Sequence, residues 1–484
     1  MTLPEDFIRQ TRAFMDDDTW RSLERGLAAE PPVSIRLNPL KCAAEDVRAD
    51  CYDGRVAWCE GGRYLKERPN FTFDPLMHAG MYYVQEASSM FLDLVMRQYV
   101  ADGPVDMLDM CAAPGGKSAV ARAALPAGSL LVSNEPVRQR AQVLAENMQK
   151  FGHPDVIVTN NYPQDIARSG LTFDVILTDV PCSGEGMFRK DPAAIGEWSL
   201  QNVEKCRLLQ RDIVAEAWHC LRQGGLLIYS TCTFNTREDE ENVSYICSEL
   251  GAEVLPVSVD DGWLLTGSLL SGFDEPVYRF LPGLTRGEGL FMAVLRKTVG
   301  DTPMTAAPKA KKPKDNRRRG RDRDAVRPDA SWLASPGDFA IVRNGDEFTA
   351  VPHAWKHVYD AAARSLKILS AGVALGEAKG KDVVPSHALA LSAALNRQAF
   401  PSVELSYGQA VSYLRKEAVT LPPDTPRGHV IVTYKGVPLG FEKNIGNRAN
   451  NLYPTEWKIK STHTPDGLNE VLEKQTSDKQ TGLL

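Results

Sequence analysis

Between residues 105 and 296 the chain alternates short apolar runs with helical patterns, and no other feature restricts its fold as tightly. Val105 to Met110, Ser129 to Asn134, Asp155 to Asn160, Phe173 to Val180, Gly225 to Thr231 and Leu290 to Arg296 read as strands. Between them, Val137 to Phe151 places Val137, Ala141, Leu144, Ala145 and Met148 on one helical face and stops at Gly152. Leu200 to Leu221 likewise brings Val203, Cys206, Ile213 and Leu221 near one stripe ahead of Gly224 and Gly225. Strands alternating with helices imply an α/β fold: a doubly wound parallel sheet covered on both faces, with ligands outside the carboxyl ends of its strands. Chemistry is therefore expected where strands end.

The first strand runs into Asp109, Met110, Cys111, Ala112, Ala113, Pro114, Gly115, Gly116 and Lys117, and a helix begins at about Lys117. Small residues let backbone approach a ligand, and a helix start offers unpaired N–H groups. Gly116, Lys117 and Ser118 match the end of a phosphate-binding loop, but its first glycine falls on Cys111; the G-x-G-x-x-G dinucleotide fingerprint is absent. The second strand ends in Glu135, where a carboxylate can accept both ribose hydroxyls. A nucleoside without a phosphate chain fits this pair of features, and S-adenosylmethionine is one, with Asp109 placed to favour its cationic end.

Nine cysteines, none spaced C-x-x-C, follow a polar, acidic N-terminus, so they read as reduced thiols in a cytoplasmic protein with no metal site. Cys206, Cys220 and Cys247 lie on apolar helical faces and read as small hydrophobes. Cys182 and Cys232 instead end the fourth and fifth strands, among Pro, Gly, Ser and Thr. A thiolate there answers a definite need: carbon 5 of a pyrimidine accepts a methyl group only after a nucleophile has added to carbon 6. A second thiol then serves release, when the carbon 5 proton leaves. Asp179 is placed to hold the ring's nitrogen edge.

Three segments, Asp109 to Lys117, Asp179 to Gly186 and Ser230 to Phe234, resemble the Sun-type family of RNA cytosine-5 methyltransferases, and within it the bacterial RsmF-like branch acting on 16S ribosomal RNA. Ser34 to Pro39 and Tyr82 to Ser89 are similar to that family's N-terminal segments; Gly440-Phe441 with Asn447 to Pro454 resembles its PUA-like RNA-binding domain. The resemblance implies a Rossmann-like S-adenosylmethionine-dependent core with an N-terminal α+β extension and a β-rich PUA-like C-terminal domain. It makes Cys232 the nucleophile and Cys182 the release cysteine. It assigns the donor to Cys111, Ala112, Ala113, Pro114, Gly115, Gly116, Lys117, Glu135 and Asp179. The family's acidic residue facing the adenine is replaced here by Thr159-Asn160-Asn161-Tyr162, which puts Asn161, or its neighbour Asn160, at that edge. Arg189 and Lys190 are candidate phosphate contacts.

The expected organisation is an RNA-binding extension over 1–103, a catalytic core over 104–300, a basic linker over 301–328, an intermediate RNA-binding region over 329–420, a PUA-like domain over 421–462 and a polar tail. Asn344-Gly345 signals a hairpin, as does the turn at Lys435-Gly436 after His429 to Tyr434. Aromatics interleaved with lysines and arginines in the C-terminal part suit RNA. The net charge of -6 argues weakly against a polyanion partner, yet residues 309–323 hold nine Lys/Arg and two Asp. Local RNA contacts are thus expected, from a monomer that binds neither DNA nor a membrane. A DNA cytosine methyltransferase, with Cys182 and Cys232 exchanging roles, a tRNA cytosine-5 methyltransferase and a noncatalytic ribosome-assembly factor are the competing readings.

Overall fold

The computed structural model describes residues 2–43, 46–100, 102–298, 326–461, 463 and 469–473; the basic run at 309–323 lies outside them. A nine-stranded sheet forms the centre: β1 Asp106–Asp109, β2 Leu130–Asn134, β3 Val156–Thr159, β4 Phe173–Asp179, β5 Leu221–Thr231, β6 Ala252–Leu255, β7 Tyr278–Phe280, β8 Leu290–Lys297 and β9 Ile368–Ala371. Its order is β6-β8-β5-β4-β1-β2-β3-β9, with β7 beside β8. Strands β1 to β5 are parallel. The chain winds outward from β1 in one direction and from β4 in the other, so the crevice beyond the β1 and β4 ends is the switch point where such sheets bind ligands.

Alternation along each strand supplies two cores. Met107, Leu131, Val175 and Leu177 face one apolar layer, in which Val120 and Ala121 of α1 (Gly116–Ala124) and Leu144 and Met148 of α2 (Arg138–Phe151) also pack. Leu108, Val132 and Ile176 face the other, with Ile166 of α3 (Pro163–Ser169), Ile213 and Ala217 of α4 (Leu200–Cys220) and Val243 of α5 (Glu240–Leu250). Residues of one strand thus serve both layers, which is why these runs read as continuously apolar. Val137 departs from the expected helical face: it caps α2 and is 49% exposed.

The sheet does not end at residue 300. Strand β9, from the segment expected to form an intermediate RNA-binding region, pairs antiparallel with β3, and Val358, Ala362 and Leu366 join the second core. That addition covers the open edge of β3. The N-terminal part carries helices Glu5–Phe14 and Asp17–Ala28 and an antiparallel sheet of Tyr52–Arg55, Gly62–Leu65, Val33–Leu37 and Tyr82–Val84. At the C-terminus, Phe339–Asn344 and Glu347–Pro352 form the hairpin expected at Asn344-Gly345. A last sheet joins Ser402–Glu404, Gly428–Tyr434, Val437–Asn444 and Ala449–Asn451, beginning before residue 421. Its hairpin turns at Lys435 and Gly436, whose φ values of 49° and 70° are those of a type I′ turn. Ile35 and Leu37 share an apolar cluster with Val432, Leu439 and Tyr453, so the two ends of the chain pack together.

Candidate active site

At the switch point lies a cavity of about 610 Å3, walled by Cys111, Lys117, Glu135, Asp179, Cys182 and Cys232 among others. The two cysteines arrive from different strand ends, and their sulfurs stand 3.0 Å apart. Both are free thiols, well beyond the roughly 2.05 Å of a disulfide. The hydrogen bond to Cys232 and burial together push the Cys182 thiol well above its ordinary range.

A set of buried carboxylates braces the two loops. Glu185, beside Cys182, accepts from the backbone N–H of Phe234 at 2.6 Å and of Asn235 at 3.1 Å, and from the Asn235 amide and Trp198 indole at 3.0 Å each. Glu238, beyond Cys232, reaches back to the Ser183 N–H at 3.0 Å. Each cysteine loop thus lends the other a carboxylate. Gly186 N–H also donates to the Cys232 carbonyl at 2.7 Å, and a Cβ at Gly186 would lie 2.6 Å from that oxygen, so only glycine fits. Burial, then the Glu238 charge, raises Glu185 to about 7. Beneath the strand end, Thr231 and Thr233 donate to Asp239, which the fully buried Arg279 pairs at 3.0 Å.

Lys117 reaches Asp179 at 2.9 Å, and the other Asp179 oxygen accepts from Ser230 at 2.8 Å. Burial disfavours the Lys117 ammonium, but Asp179 outweighs it and the lysine's pKa is raised. Glu135 accepts from the Val137 N–H at 2.9 Å and faces Arg140 at 3.5 Å. Asp109 lies beneath the cavity, fully buried, with one oxygen taking the Ser118 hydroxyl at 2.6 Å and the other unpartnered among the described residues. Burial raises it to about 7. Carboxyl side chains outnumber cations along the wall: Glu86, Glu135, Asp179, Asp212, Glu216 and Glu288 stand against Lys117, Arg140 and Lys190. That excess, together with Glu135 at the end of β2, fits a cationic nucleoside such as S-adenosylmethionine.

Several expected contacts fall elsewhere. Of the loop, only Cys111 and Lys117 line the cavity; Ala112 and Ala113 pack into the first core, and Gly115 faces a second cavity on the other side of the loop. Asn161, at the β3 edge, does not line the cavity. Its amide and carbonyl both bond the Lys367 backbone, at 3.2 and 3.0 Å, because β9 occupies that edge. Asn160 is spent on the carbonyls of Glu135 and Pro136. The wall there is Tyr162, Pro163 and Gln164, with Tyr162 65% exposed at the lip. Arg189 is no surface cation: it bonds Glu288 at 2.7 Å and the carbonyls of Gly26 and Gly287. Lys190, exposed, does line the cavity. Sequence reading missed Glu86, whose carboxylate takes the N–H groups of Ser88, Ser89 and Glu288. The Tyr82 to Ser89 resemblance was the signal available for it.

The profile of the 16S rRNA methyltransferase RsmB/F family matches residues 101–296, that of the N-terminal domain of 16S rRNA methyltransferase RsmF residues 3–87, and that of the methyltransferase RsmF PUA domain residues 400–459. Ribosomal RNA small subunit methyltransferase F of Klebsiella pneumoniae is 31% identical, covering 94% of this chain and 96% of that protein; its Escherichia coli O7:K1 counterpart is 32% identical with the same coverage. Among solved structures, a methyltransferase homologue from Pyrococcus horikoshii shares the fold at a TM-score of 0.52 with 24% identity, over 61% of this chain and 95% of that one. NSun6 from the same organism, solved with SFG, gives a TM-score of 0.51 at 20% identity, over 61% and 99%. With relatives at this level aligned along nearly its whole length, the chain belongs to the 16S rRNA methyltransferase RsmB/F family, on its RsmF branch.

Proposed function

We propose that this protein methylates carbon 5 of a cytosine in 16S ribosomal RNA, with Cys232 as nucleophile and Cys182 as the release residue. S-adenosylmethionine supplies the methyl group as an electrophilic carbon on a sulfonium; Glu135 would hold its ribose, Tyr162 and Pro163 its base, and the acidic wall its charge. The observation that carries the reading is the 3.0 Å contact of Cys182 and Cys232 inside a cavity that also holds the Lys117–Asp179 pair.

Each residue has a definite task. Cys232 Sγ forms a bond to carbon 6 as the ring's electrons move toward carbon 5. Asp179 holds the nitrogen 3 edge, and Lys117 fixes its direction. Once carbon 5 carries the methyl group, its proton leaves to a base or water at Cys182, the Sγ–C6 bond breaks, and the electron pair returns to Cys232. The PUA domain and N-terminal extension bind RNA around this centre. Bisulfite sequencing of 16S ribosomal RNA and tRNA from a deletion strain tests the assignment. A protected cytosine lost from 16S RNA is expected, and a loss confined to tRNA would overturn it.

A further inference from the structure

Strand Val33–Leu37 sends Ile35 and Leu37 into the apolar cluster it shares with the C-terminal sheet. Arg36 points the other way, toward α2, with its guanidinium over the Phe151 ring at 5.9 Å from the centroid, and is 3% exposed. Its Nε donates to Gln85 at 2.9 Å, while its two terminal nitrogens have no hydrogen bond or ion pair among the described residues. Asp93, whose charge Arg36 feels, is itself paired with Arg97 at 3.0 Å. A guanidinium is rarely buried without an anion, because desolvation is costly.

Arg36 lines a second cavity of about 230 Å3 with Tyr83, Asn147, Lys150 and Gly115, and no Asp or Glu is among its lining residues. The Tyr83 hydroxyl, beside Arg36, likewise has no hydrogen-bond partner among the described residues. Lys150 adds positive charge, although it is shared with Glu146 at 2.5 Å. Gly115 belongs to the loop whose other side forms the donor cavity.

We infer that this cavity is a phosphate-binding site, in which the Arg36 fork takes two oxygens of a phosphate group and the Tyr83 hydroxyl a third. The site stands apart from the carbon 5 chemistry proposed above and does not depend on it. One source of the group is a phosphodiester of the RNA strand, since the cavity adjoins the loop at the catalytic crevice; the other is free phosphate.

Orthophosphate titrated into the full-length protein at constant ionic strength, read as Tm, tests the site. A saturable rise is expected in the wild type. Arg36→Gln should shift half-saturation about tenfold or more, the loss of charged hydrogen bonds, and Tyr83→Phe a few-fold; the latter serves if Arg36→Gln fails to fold. Binding of a short oligoribonucleotide separates the sources. If RNA supplies the phosphate, both variants weaken that binding and orthophosphate competes with it. If free phosphate is the ligand, oligoribonucleotide affinity stays unchanged while the orthophosphate response falls. No saturable rise in the wild type with either probe would overturn the inference. So would an unchanged response in Arg36→Gln, or in Tyr83→Phe should the first variant not fold.

Discussion

Glu185 and Phe234 are joined by a 2.6 Å hydrogen bond that ties the loop of one cysteine to the loop of the other. Glu185→Ala would leave the Phe234 and Asn235 N–H groups and the Trp198 indole without an acceptor. We expect a loss of about 3 kcal/mol or more in urea unfolding and a fall in kcat that exceeds any change in KM for RNA. A variant with wild-type kcat would show that the brace does not set the cysteine geometry.

The same carboxyl gives a pH signature. Glu185 sits at about 7, raised by burial first and then by Glu238. Only its charged form can accept from all four donors, so the brace weakens as pH falls through about 7, and kcat should decline on the acid side. Glu185→Gln, which cannot titrate, should have low activity and lack this part of the acid limb. An acid limb identical to wild type would contradict the assignment.

Asp109 yields a stability prediction. Its folded pKa, about 7, lies above the unfolded carboxylate value near 3.8, with burial the main cause. The native state therefore keeps a proton that the unfolded state has lost, and stability falls as pH rises from about 4 to about 7, then levels. Asp109→Asn should lose less stability than the wild type between pH 5 and pH 8 in urea denaturation. Parallel losses would place the titration elsewhere.

Tyr162, which lines the cavity, and Asn161, which bonds Lys367, are predicted to differ in their effect on the donor. Tyr162→Ala should weaken S-adenosylmethionine binding about tenfold, the scale of one lost base–aromatic contact. Asn161→Ala should leave that affinity unchanged and instead lower Tm through its bonds to Lys367. Equal effects on donor affinity would return Asn161 to the adenine edge.

Much of this was legible in the sequence because it depends on local pattern. The six core strands and the helices at Arg138 and Leu200 follow from apolar periodicity, and the Lys435-Gly436 turn from its need for two positive φ values. Cys182 and Cys232 could be paired because both end adjacent parallel strands. What escaped was long-range. Nothing near Asn161 announces that Ile368–Ala371 will cover β3 and claim its amide. Arg189 resembles any exposed cation until Gly26, 163 residues away in the chain, supplies its acceptor. The acidic wall was hidden for the same reason, since Glu86, Asp212 and Glu288 meet only in the folded chain.

The division of labour between the two cysteines is tested most directly by trapping. Cys182→Ala and Cys232→Ala are each incubated with 16S RNA and S-adenosylmethionine, then run on denaturing gels. Cys182→Ala should accumulate a covalent protein–RNA complex, because addition at Cys232 proceeds and release does not, whereas Cys232→Ala should form none. A covalent complex only in the Cys232 variant would contradict the account and exchange the two roles.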